Sequence, residues 1–280
     1  MAIKNQKPTT NGQRNMSFVD GAQISTKKTL GKKLFKKGKK TTGRANGKIS
    51  IRHRGGGTRS HYRFIDFNGT DKLGVPAKVI SIEYDPKRTA YISFICFKDG
   101  EKRYILAHKN MKVGDEVIVD NKAKIKEGNR MMLKNIPVGF PIFNIEFSPK
   151  KGGQLVRTAG GEAKIVSLDG DKAQIQLPSR EIRLFDKNCF ATIGVLSNEE
   201  KNLIQIGKAG RKRNMGRRPQ VRGKAMNPCD HPHGGGEGGA PIGLKYPKTP
   251  WGAHALGVKT RKNKKMSNKL ILKNRHRNKK

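Results

Sequence analysis

The sequence predicts a mostly β protein, with small barrels in the middle of the chain and long basic extensions at both ends. Three observations predict it. Short apolar–polar alternations broken by turn signals cluster in the centre. The acids cluster there too: residues 66–200 hold 18 of the 21, beside 22 basic residues, a net of +4. The flanks carry the other 39 basic residues against only Asp20, Asp230 and Glu237.

In chain order, residues 1–62 read as a basic N-terminal extension. Lys27 to Lys40 holds eight lysines in 14 residues and no core-forming pattern. Such a segment buries too little apolar surface to offset its ordering entropy, so it is expected to be extended or disordered until phosphates order it. Arg52-His-Arg-Gly-Gly-Gly-Thr-Arg59 follows. Glycine lets a backbone approach closely, and arginine grips phosphate bidentately. Arg52, His53, Arg54, Arg59 and the nearby Arg63 are therefore candidate RNA contacts. The segment lacks the Gly-Lys-Ser/Thr of a phosphate-binding P-loop.

Residues 63–128 and 129–200 read as two successive β domains. Ala77 to Glu83 alternates, and Thr89 to Phe97 is rich in β-branched and aromatic residues. Asp99-Gly100 then predicts a hairpin into Arg103 to Ala107. The pattern recurs as Lys164 to Leu168, Asp169-Gly170 and Ala173 to Leu177, followed by Glu181 to Phe185 and Phe190 to Leu196. Frequent turns between short strands favour small barrels or sandwiches. The proline-bearing stretch 129–151 reads as the junction between the two barrels. Ser197 to Ile206 reads as one short helix, with Ser197 as N-cap and Glu200 as its capping-box partner.

Residues 201–280 read as a basic, Gly-rich C-terminal extension. Lys208 to Lys224 carries eight basic residues in 17, and Val258 to Lys280 carries eleven. Lys208, Arg211, Lys212, Arg213, Arg217, Arg218, Arg222 and Lys224 join the candidate RNA contacts, as do Arg261 and Lys262. For Lys208 to Lys224 a solvated charged face and a localisation signal are the alternatives, and a localisation signal would be shorter and would not need repeated glycines.

Met226-Asn-Pro-Cys-Asp-His-Pro-His-Gly-Gly-Gly-Glu-Gly-Gly239 supports three chemistries. Cys229, Asp230, His231, His233 and Glu237 offer metal ligands. Cys229 beside a histidine offers a nucleophile. Asn227, His231 and His233 on a glycine backbone offer hydrogen bonds to folded RNA. The ligands crowd into nine residues without helical spacing, and there is no second cluster, which favours RNA. Trp251, in Tyr246-Pro-Lys-Thr-Pro-Trp-Gly252, is placed either to stack on a base or ribose or to pack on Pro247 and Pro250.

Bulk properties bound the partner. The net charge of +40 would destabilise a compact globule by self-repulsion, and a polyanion would relieve it, either nucleic acid or an anionic membrane. Cys96, Cys189 and Cys229 form no CxxC pair, so neither a zinc ribbon nor a disulfide framework is expected. There is no apolar run of membrane-spanning length and no apolar segment in residues 1–10, so a reducing, intracellular setting is expected.

Ten pieces in order resemble one family. They are His53-Arg-Gly-Gly-Gly57, Tyr62-Arg-Phe-Ile-Asp-Phe67, Glu83-Tyr-Asp-Pro86, Asp99-Gly-Glu-Lys-Arg-Tyr-Ile-Leu106, Asn135-Ile-Pro-Val-Gly139, Lys151-Gly-Gly-Gln-Leu155, Gly207-Lys-Ala-Gly210, Val221-Arg-Gly-Lys-Ala-Met-Asn-Pro228, Asp230-His-Pro-His-Gly-Gly-Gly-Glu-Gly238 and Thr249-Pro-Trp-Gly252. Together they resemble the bacterial form of ribosomal protein L-two, the universal second protein of the large ribosomal subunit. The resemblance implies an OB-fold barrel over 63–128, an SH3-like barrel over 129–200, and extensions threaded through large-subunit rRNA. It implies contacts with small-subunit rRNA and other ribosomal proteins, and none with membrane. It implies roles in subunit association, tRNA binding and organising the peptidyl-transferase region, in cytoplasmic or organellar ribosomes. His231 matches the histidine discussed in connection with peptidyl transfer, where the chemistry is RNA's. No enzyme activity is implied, and no cofactor beyond Mg2+ belonging to the surrounding rRNA. Cys229 stands where the family usually has a small aliphatic residue, and 239–243 lack the positive charge often found there.

Overall fold

A computed structural model describes residues 3–21, 24–25, 34–38 and 43–275. Most of the lysine-rich run 27–40 lies outside them. The chain divides into two compact units: residues 1–39, 59–208 and 269–280 form the first, and residues 40–58 and 209–268 the second. Among the described residues no helix is long and apolar enough to cross a membrane.

Two sheets dominate the first unit. In one, β1 (Ala77–Glu83), β2 (Ile92–Phe97), β3 (Lys102–Leu106) and β4 (Glu116–Val117) stand in the order β4-β1-β2-β3, all antiparallel. The alternation of β1 drives this: Ala77 and Val79 are buried, while Lys78 and Ile80 are exposed. A bulge between Val79 and Ser81 then shifts the register, so that Ser81, Ile82 and Glu83 are all buried. The Asp99-Gly100 turn closes the β2–β3 hairpin as expected, with the Phe97 amide donating to the Glu101 carbonyl at 2.8 Å. Ala77, Val79, Tyr91, Ile95, Phe97, Met111 and Val117 fill the core beneath.

The second sheet has seven strands. In chain order they are β5 (Arg130–Met132), β6 (Pro141–Phe143), β7 (Ala163–Ser167), β8 (Lys172–Gln176), β9 (Ile182–Asp186), β10 (Phe190–Ile193) and β11 (Ile271–Lys273), arranged β5-β10-β6-β7-β8-β9-β11. Cross-strand pairs such as Ile165 with Ile175 and Ala173 with Phe185 build its core with Met131, Leu133, Ile142 and Ile193.

Three expectations are corrected. The stretch 129–151 is not a junction, because it supplies β5, β6 and the strand Ile145–Glu146. Its prolines mislead because Pro141 begins a strand, a position that tolerates the missing amide. The helix expected over 197–206 is a 3-10 turn, Glu199–Leu203, without a side-chain cap. The Ser197 hydroxyl instead accepts a hydrogen bond from the Tyr91 amide at 3.1 Å, and exposed Leu203 gives a helix no apolar face to bury. Finally, the basic C-terminal run, expected to be extended or disordered in the free protein, contributes a strand, since β11 pairs with β9 and covers that edge of the sheet.

Candidate nucleic-acid interface

The second unit has Asp230 and Glu237 as its only acids. Its sequence-distant halves are joined by backbone. Arg54 and Arg217 form an isolated bridge, the Gly55 amide donates to the Gly216 carbonyl at 3.0 Å, and the Thr58 amide donates to Asn214 O at 2.9 Å. Gly55, Gly56 and Gly57 have φ of 144°, 67° and 82°, so a run of three glycines is required there rather than decorative. His53 fastens the same seam. Its Nδ1–H donates to the Pro219 carbonyl at 3.1 Å, and its own carbonyl accepts from the Arg218 amide at 3.0 Å.

This seam shapes a groove lined by Arg52, His53, Arg54, Lys212, Arg213, Arg217 and Arg218. Lys212 and Arg213 project from a six-residue helix, Ala209–Asn214, which also carries Arg211. None of the six lysines and arginines lining the groove makes an ion pair with a carboxylate among the described residues. The groove therefore presents uncompensated positive charge on a fixed backbone, an arrangement matched to phosphates.

The histidine–glycine segment folds onto itself. The Asn227 carbonyl accepts from the amides of Asp230 and His231, and the His231 carbonyl accepts from Gly234. A Cβ on Gly234 would lie 2.3 Å from Asn227 O, so only glycine fits that approach. The His231 Nδ1 accepts the His233 amide at 3.0 Å, and the His233 Nε2 accepts the Lys248 amide at 2.8 Å. Because an amide only donates, His231 Nδ1 and His233 Nε2 are the acceptors of these two bonds. His231 is buried and His233 half-buried, so both act first as clasps of the loop. Cys229 is exposed, and among the described residues no three His, Cys, Asp or Glu side chains gather as a metal cluster.

Residues 31–119 match the RNA-binding N-terminal domain of ribosomal proteins L2, and residues 126–252 match the C-terminal domain of the same proteins. The chain belongs to the ribosomal protein L2 family. It is a structural, non-enzymatic, rRNA-binding constituent of the large ribosomal subunit, found in ribosomes beside other ribosomal proteins. The two sheets are the OB-fold and SH3-like barrels of that family.

Other candidate contacts of this L2-family chain fall in varied settings. Arg59, Lys208, Arg222 and Lys262 are exposed, Lys224 is half-buried, and Asn227 is exposed with its carbonyl committed to the loop. Arg261 is partly satisfied internally, donating to Asn268 Oδ1 and Ser267 Oγ. Arg63 departs from expectation. It is buried, with Nη2 3.2 Å from Glu83 and Nη1 3.7 Å from Asp85, so its charge is neutralised inside the protein and cannot reach a phosphate. Trp251 is 76% exposed, with the Arg52 guanidinium 4.6 Å from its ring centroid.

The near-neutral centre spends its charges internally as well. Arg103 pairs with Asp66, Asp71 and Glu101, and its guanidinium holds the Asp71 carboxyl below the usual carboxylate value. Sequence reading missed the seam between residues 52–58 and 214–219, because nothing local announces a pairing across so many residues.

Proposed function

We propose that this chain fastens rRNA of the peptidyl-transferase region and thereby supports tRNA binding and association with the small subunit. One observation carries the reading: the groove of Arg52, Arg54, Lys212, Arg213, Arg217 and Arg218, held by backbone and lacking carboxylate partners among the described residues. A domain that needed these cations for its own stability would pair them, as the first unit pairs Arg63 and Arg103. Left unpaired and preorganised, they bind phosphate without first breaking protein contacts. Arg59, Lys208, Arg222, Lys224, Arg261 and Lys262 extend the same phosphate contacts on this reading. Asn227, His231 and His233 supply shape and hydrogen bonds, and Mg2+ enters only with the rRNA.

The test uses large subunits in which Lys212, Arg213, Arg217 and Arg218 are all changed to Gln. Occupancy of the protein, joining with small subunits and tRNA binding are measured. Reduced occupancy is expected and, among subunits that retain the protein, slower joining and weaker tRNA binding. Wild-type joining and tRNA binding at matched occupancy would confine the groove to assembly.

A further inference from the structure

We propose that Trp251 and Arg52 form one half of a clamp that stacks an unpaired nucleobase on the open face of the indole. The proposal rests on the rRNA-binding reading and deepens it, naming the chemistry recognised at one point. Trp251 is the only tryptophan of the chain and is 76% exposed. Holding so large an apolar ring in water is unfavourable, and the turn that holds it there is built rather than loose. The Thr249 amide donates to Ala253 O at 2.7 Å, Gly252 to Thr249 O at 2.9 Å, and Ala255 to Pro247 O at 2.9 Å. Lys248 and His254 bridge its base, beside the Tyr246 and His254 rings in contact.

One face of the indole is taken by Arg52, 4.6 Å from the centroid, a cation–π contact. The arrangement leaves a flat π surface backed by a cation. A nucleobase satisfies both parts: its face stacks on the indole, and the adjoining phosphate meets the guanidinium. An apolar protein partner would have to desolvate Arg52 with no carboxylate near it. The base must be unpaired, because a duplex hides its base faces in its own stack.

The sole tryptophan makes the site its own reporter. The full-length chain is titrated with large-subunit rRNA while binding is followed by anisotropy of the labelled RNA, and Trp emission and acrylamide quenching are recorded. Emission should change on binding and acrylamide accessibility should fall severalfold. Trp251→Ala should weaken binding roughly tenfold and Trp251→Phe much less. Arg52→Gln, which leaves the ring in place, should weaken binding while preserving the emission change. Binding with unchanged emission and accessibility would overturn the clamp while leaving rRNA binding intact. No binding by the wild-type chain would overturn both.

Discussion

The guanidinium of Arg130 meets the carboxylate of Glu146 at 3.0 Å in the interior of the first unit, with both side chains almost fully buried. The pair is enclosed by further hydrogen bonds. Arg130 also donates to the Asn68 and Asn144 carbonyls, and Glu146 Oε2 accepts from the amides of Lys150 and Phe190. Arg130 thus ties the chain ahead of the first sheet to the second sheet.

Removing one partner strands a buried charge. Glu146→Gln should therefore lower stability by about 3 kcal/mol in urea unfolding, far above the effect of a surface ion pair. The double variant Arg130→Met, Glu146→Leu should be less damaging than the sum of its parts, since it removes both charges together. A loss below about 1 kcal/mol for Glu146→Gln would mean that the pair adds little once desolvation is counted.

The same reasoning separates Arg63 from the groove. Changing Lys212, Arg213, Arg217 and Arg218 to Gln should flatten the log–log dependence of rRNA affinity on salt. Every phosphate that a cation no longer neutralises lowers the slope by roughly 0.7 on single strands and somewhat more on duplex. Arg63→Gln should leave the slope alone and lower the melting temperature, because it uncovers Glu83 and Asp85. A slope change for Arg63→Gln without destabilisation would put its guanidinium on RNA.

What could be read from the sequence follows from the range of the interactions. The strand Ala77–Glu83 and the Asp99-Gly100 hairpin were legible because alternation and turn chemistry are local. The 3-10 turn at Glu199–Leu203 was misread because Ser197 spends its hydroxyl on Tyr91, 106 residues away. Arg63 was misread for the same reason: its immediate neighbours Tyr62 and Phe64 are aromatic, and its partners Glu83 and Asp85 lie on and beyond a later strand. Basic segments announce affinity for a polyanion, whereas which cations remain free depends on where the few acids fold.

His108 makes stability depend on pH. It is 5% exposed, and burial holds its pKa below the ordinary value of 6.5, outweighing the pull of Glu127, whose carboxylate lies 3.6 Å from Nδ1. Asp115 also raises it and Lys126 lowers it. With the folded pKa below the unfolded one, the unfolded chain takes up the proton first as pH falls. The contribution is complete above about pH 6.5 and is lost as pH falls through the folded value. His108→Gln should flatten the stability profile between about pH 7 and pH 5 relative to wild type. Parallel profiles for the two proteins would mean that the ring is not buried in solution.

The last prediction concerns the order of the histidine–glycine loop. His231 supports it through one acceptor, Nδ1, which receives the His233 amide, and through ring packing so close that a Cβ on Gly223 would lie 2.6 Å from the imidazole. His231→Ala removes both, leaves an amide short of its acceptor and should cost about 1–3 kcal/mol of local stability. Amide exchange at His233 and Gly234 should report that loss directly. His231→Asn offers an acceptor oxygen near the position of Nδ1 and should recover part of the protection, which a role confined to ring chemistry would not allow. Cys229 is exposed and takes no part in this network, so Cys229→Val should leave exchange and rRNA affinity nearly unchanged. Metal analysis of ribosomes carrying Cys229→Val sets the two organisers of the loop against each other. Loss of a stoichiometric zinc together with disorder of the loop would make the metal its organiser, and the histidine hydrogen bonds would then be a consequence of coordination rather than the cause of the fold.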